Sequence, residues 1–142
     1  MKKLSISFFL AIFSISCSAA VTSENLIDSS NSWNGTKLPS LDIKDTKVTI
    51  KKITIDAGEK LPIHLHPVVN AGVLLSGKLT VYSQDQSHVL HLDADTKNNA
   101  IIEMVNQYHY GVNESNEPAE IIVFYVSDKS QGLTKLKPKE GN

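Results

Sequence analysis

Gly58-Glu-Lys-Leu-Pro-Ile-His64-Leu-His66-Pro-Val-Val-Asn70-Ala-Gly-Val-Leu-Leu-Ser-Gly77 is the stretch that decides how the chain folds. His64 and His66 are one residue apart, and Pro62 and Pro67 bound them. A proline on each side favours a short extended segment. In an extended chain, residues two apart share a face and lie roughly 6.6 Å apart. Two imidazoles so placed can converge on one ion at metal–nitrogen distances of about 2.0–2.2 Å. Leu65 points the other way. Taken alone, such a pair also describes two surface histidines on a strand, so its surroundings carry the decision.

The surroundings read as β-structure. Ala71 to Leu75 reads as a strand, Ser76-Gly77 as a tight turn and Lys78 to Ser83 as the returning strand. Val48-Thr49-Ile50 and Ile53-Thr54-Ile55 flank Lys51-Lys52, where the alternation changes phase, so a bulge or bend is expected there. Val89 to Leu92, Ile101 to Val105 and Glu120 to Val126 complete the series, the last apolar enough to be buried on both faces. Many short strands at this spacing predict an all-β sandwich or closed barrel. No Gly-rich phosphate loop, G-x-S-x-G or Walker pattern interrupts it.

At the ends the reading changes. Met1-Lys2-Lys3, an apolar run from Leu4 to Ile15 and small residues at Ser18-Ala19-Ala20 predict a signal peptide over residues 1–20 and hence an exported, periplasmic or secreted protein. Lipid anchoring at Cys17 is the weaker expectation, because Ser14 stands where such signals usually carry Leu. Residues 21–40 are expected to be a polar lead-in docked by Trp33, 41–130 the domain, and 131–142 a charged tail that frays from Lys135. Cleavage after Ala20 leaves no cysteine, hence no disulfide or thiolate chemistry. It also removes two of 14 basic residues, leaving 12 against 15 acidic, a net charge of −3. That balance argues against nucleic acid as a partner. All basic residues are Lys, so no guanidinium clamp exists for carboxylate or phosphate. No membrane span is expected in the mature form.

Downstream, His109-Tyr-Gly-Val-Asn113 places a histidine four residues before an asparagine. Together with the Gly58-x5-His64-x-His66-x3-Asn70-x6-Gly77 frame, this resembles the two motifs of the cupin family over roughly residues 45–127. The resemblance implies a jelly-roll, double-stranded β-helix barrel with a divalent transition metal (Zn, Fe, Ni, Mn or Cu) on His64, His66 and His109. It further implies a small organic ligand in the barrel and allows a homodimer. An enzyme of this kind would resemble quercetinase-like dioxygenases or an isomerase; a metal-free ligand-binding module is the third alternative.

Two departures from the family pattern stand out. Asn70 occupies the place of the first motif's glutamate ligand, and a neutral amide oxygen is a weaker donor. Met104 and Asn106 replace the second motif's Pro and Gly, which puts the turn before His109 in question. Glu103 is the unexplained carboxylate, set in an apolar run where burial is costly unless the charge is paired or metal-bound. It is the candidate catalytic residue and, with Asn70, a candidate to complete the metal site. His88 and His91 are expected to face solvent, Tyr108 and Tyr110 to pack, Tyr82 and Tyr125 to pack or reach a ligand, and Asn113 to bond backbone.

Overall fold

The computed structural model describes residues 21–139, so the signal-peptide reading of residues 1–20, including Cys17, lies outside the described residues. Nine strands follow: β1 (Thr46–Ile55), β2 (His64–Leu65), β3 (Val69–Ser76), β4 (Lys78–Ser83), β5 (Val89–Asp93), β6 (Ala100–Ile102), β7 (His109–Val112), β8 (Ala119–Asp128) and β9 (Lys135–Leu136). No helix occurs among the described residues, and none is long and apolar enough to cross a membrane. The strands form two sheets, in the orders β1-β8-β3-β6 and β5-β4-β7-β2-β9. Their inner faces meet in one core that includes Ile55, Leu74, Leu79, Leu92, Ile101 and Ile121. The expected all-β jelly roll is the fold observed.

β1 pairs with β8 in unbroken register from Thr46↔Asp128 to Ile55↔Ala119, so the bulge expected at Lys51-Lys52 is absent. The phase change in the sequence has another cause. Val48 and Ile50 are apolar residues on the solvent side, 62% and 59% exposed, whereas Lys51 lies on the cavity side with Ile53 and Ile55. The one irregularity along this sheet falls between Leu74 and Ser76, where β3 meets β8.

Two strands escape the hydrophobic pattern. β7 is His-Tyr-Gly-Val, and β9 is only Lys135-Leu136. β9 pairs with β2 through His64↔Leu136 and Leu65↔Lys135, and the Lys137 amide donates to the Ile63 carbonyl. Fraying from Lys135 is therefore corrected: unpaired backbone on the edge of β2 recruits this segment. The lead-in docks as well. The Trp33 amide donates to Ile102 O at the free edge of β6, and Asn34 and Thr36 bond Gln107.

Gly77 turns β3 into β4 with φ +74°, and a Cβ there would stand 2.7 Å from the Pro118 carbonyl oxygen. Both the left-handed backbone and the missing space demand glycine. Gly77→Ala is expected to destabilise the protein by about 2 kcal/mol, from strain of the size typical for such positions, measured by urea denaturation.

Candidate metal centre

His64 and His109 are direct register partners across β2 and β7, and His66 follows where the chain leaves β2 to bridge Val105. The ring centroids lie 5.0 Å (64–66), 4.6 Å (64–109) and 5.2 Å (66–109) apart. One ring nitrogen from each lies within 4.8 Å of the others. The three candidates read from sequence are thus brought together.

Their orientation is set by backbone. Nδ1 of His64 pairs with the Pro62 carbonyl at 2.7 Å, that of His66 with Leu133 O at 2.8 Å, and that of His109 with Gln107 O at 3.0 Å. A carbonyl only accepts, so each neutral ring carries its proton on Nδ1 and keeps a lone pair on Nε2. Second-shell bonds of this kind fix the tautomer of metal-binding histidines. His109 Nε2 is buried and has no hydrogen-bond partner. Such an orphan calls for an explanation, and a cation is one.

The doubtful turn before His109 is built by Asn106, which takes φ +58°, a conformation asparagine tolerates better than most residues. Its amide donates to His66 O at 2.8 Å, tying this turn to the His-x-His segment. Asparagine thus fills the glycine position without loss of the turn.

Glu103 reaches the site and Asn70 turns from it. Glu103 Oε2 lies 3.3 Å from His109 Nε2, shut off from solvent and without a hydrogen bond. Asn70 is buried, gives Nδ2 to the Val68 carbonyl at 3.3 Å, and does not line the cavity. Asn113 does bond backbone, through Nδ2 to Ile55, Asp56 and Glu117, but at the end of β7 away from His109. It anchors the loops there. His88 and His91 are exposed, bonded to Ser87 and Thr80. Tyr82 stacks on Tyr110 outside the cavity, whereas Tyr125 lies edge-on to His66 inside it.

Behind the histidines opens a cavity of about 240 Å³. Aliphatic residues from both sheets, Ile53, Ile55, Leu61, Leu79, Val81 and Val123 among them, line it; its polar groups include the histidines, Glu103, Tyr125 and Thr134. Lys51 is the sole lysine in the lining. The sequence reading did not mark Lys51 as part of a site; the lysine's inner-face parity with Ile53 and Ile55 was the available signal.

Burial lowers the proton affinity of all three imidazoles; His66 falls to about 4, and its bond to Leu133 opposes this only in part. Burial also pushes the Glu103 carboxyl up to about 7, with the nearby His64 opposing. Burial therefore favours neutral rings and a neutral acid.

No family model and no curated protein matches the sequence. Solved structures match its fold. An uncharacterized conserved protein with a double-stranded β-helix domain from Klebsiella pneumoniae is 25% identical, with TM-score 0.50 over 70% of this chain and 80% of that one. Oxalate oxidase in complex with the substrate analogue glycolate is 17% identical, with TM-score 0.52 over 63% of this chain and 45% of its own. The DMSP lyase DddQ from Ruegeria pomeroyi is 17% identical, with TM-score 0.53 over 67% and 45%. This chain thus spans less than half of the two enzymes. The protein has the double-stranded β-helix of the cupin superfamily, with three histidines gathered inside it.

The pH dependence of stability follows from these shifts. Histidines held neutral in the fold but free to protonate near 6.5 when unfolded withdraw stability as pH falls from 6.5 towards 4. Glu103 acts oppositely: its contribution is complete below 4.5 and lost by about 7. Chelator-treated protein should lose stability on acidification below pH 6.5. Glu103→Gln should steepen that loss, because the carboxyl no longer offsets it. Urea midpoints from pH 4.5 to 7.5 measure both.

Proposed function

We propose that the chain binds one divalent transition metal ion through Nε2 of His64, His66 and His109, and admits a small organic ligand to the cavity beside it. The observation that carries this reading is the shared device at all three rings: Nδ1 engaged by backbone, Nε2 left to converge. When bound, such an ion supplies Lewis acidity at the polar end of the cavity, with coordination positions open to a ligand. Imidazole donors suit Zn, Cu, Fe and Ni alike, so the ligand set alone does not fix the metal.

The protein's own groups define what else fits. The aliphatic walls favour an apolar body, and the cavity is small beside those that take drug-sized ligands. Lys51 offers a single positive charge without a carboxylate partner among the described ion pairs, which favours an acidic head group. Lysine meets it as a point charge rather than a planar fork. In an enzymatic version, Tyr125 and Thr134 would position the ligand.

Elemental analysis of purified, untagged protein should find about one transition-metal ion per chain, abolished in His109→Ala. Absence of metal even after reconstitution would leave a metal-free barrel instead. Thermal-shift titration with small apolar carboxylic acids should show stabilisation that Lys51→Gln weakens by ~10-fold in affinity, the size of one exposed charge-assisted contact; oxygen uptake with phenolics tests for dioxygenase activity.

We also propose export, supported by the basic, apolar and small-residue sequence of residues 1–20. The mass of protein recovered from the extracytoplasmic fraction should correspond to a chain starting at Ala20 or Val21; recovery of uncleaved chain in the cytoplasm rejects it.

A further inference from the structure

We propose that Glu103, from the segment just past β6, provides the carboxylate ligand of the metal site, while Asn70 on neighbouring β3 contributes no ligand. This rests on the three-histidine reading above.

His109 Nε2 and Glu103 Oε2 face each other at 3.3 Å, and neither atom makes a hydrogen bond. With the His109 proton held on Nδ1 by Gln107, the ring turns an electron pair towards Glu103, and an ionised carboxylate turns another back. Two such buried acceptors need a proton or a cation against both, and a metal ion bound there displaces the carboxyl proton. The separation is that of two ligands of one ion. Donors about 2.1 Å from a common ion stand about 3.0 Å apart at a right angle and about 3.4 Å apart at a tetrahedral one. Glu103 approaches from the His109 side, outside the tighter group of three nitrogens, so it closes the site from one flank.

Asn70 sits close by but is used differently. Its backbone carbonyl accepts the Glu103 amide at 3.1 Å, so the two residues are neighbours. From there the side chains diverge. Asn70 closes back on its own strand through Val68, and Glu103 enters the cavity lining. Both start inward, Asn70 on the face of the core residue Leu74 and Glu103 two residues from the core residue Ile101, but only Glu103 reaches the His109 ring; Asn70 Oδ1 stays buried without a partner, outside the cavity lining. The charge balance agrees. Three neutral imidazoles leave a divalent ion uncompensated in an aliphatic barrel, and the cavity lining contains one carboxylate, Glu103.

The test uses metal-free protein titrated with cobalt(II) chloride, followed by calorimetry and visible absorption, with circular dichroism to verify the fold. Wild type should bind one ion. The isosteric Glu103→Gln should bind at least ~10–100-fold more weakly, a loss no smaller than that of an outer-shell partner. Its cobalt spectrum should also change, because the donor set differs. Asn70→Ala should keep both affinity and spectrum. Glu103→Gln with wild-type affinity, or with weaker binding but an unchanged spectrum, overturns the ligand assignment while leaving the three histidines in place. A loss confined to Asn70→Ala overturns it in favour of Asn70. Wild type that binds no cobalt, zinc, nickel or manganese removes the three-histidine reading itself, and Glu103 with it.

Discussion

Three backbone carbonyls, from Pro62, Gln107 and Leu133, hold the three imidazoles of this barrel. An imidazole free to rotate and exchange tautomers offers its lone pair in several directions. One whose Nδ1 is tied to a fixed carbonyl offers it in one. Two of these carbonyls lie two residues before their histidine, so each short segment carries its own orienting group. The third is 67 residues away from His66 and reaches it only because β9 docks on β2. The convergence of the ring nitrogens and the unsatisfied nitrogen of His109 build on that preset orientation, whereas the low proton affinity of the rings comes from burial, which the same carbonyls oppose.

The barrel positions those segments. β2 lies between β7 and β9, and its pairing with β7 sets His64 against His109. The Asn106 amide fixes the exit of the His-x-His segment, while the 101–103 run carries Glu103 inward from the opposite sheet. Each sheet thus supplies one half of the centre: imidazoles from one, the carboxylate from the other. Aliphatic side chains fill the rest of the interior and keep the polar groups poorly hydrated, which strengthens every charge interaction among them.

Much of this was legible in the sequence, for identifiable reasons. An H-x-H pair between prolines leaves little but an extended segment, and His109 repeats the pattern at a distance set by the jelly roll. Glu103 was legible because a carboxylate inside an apolar run is costly unless used. What stayed hidden has physical causes too. β7 is polar and aromatic because it carries the site, so it lacks a strand's apolar alternation. β1 misled because it is an edge strand with apolar residues facing solvent and a lysine facing the cavity. The contribution of Leu133 is a backbone carbonyl, which no side-chain pattern can announce.

That last contact ties the site to the order of synthesis. The histidines, Glu103 and both sheets' longer strands all precede residue 128, yet the carbonyl that aims His66 comes afterwards. A nascent chain halted after β8 carries every side chain of the centre and lacks the group that orients its middle ring. Orientation of the His66 ring is therefore withheld until the 133–137 segment emerges from the ribosome and seats itself.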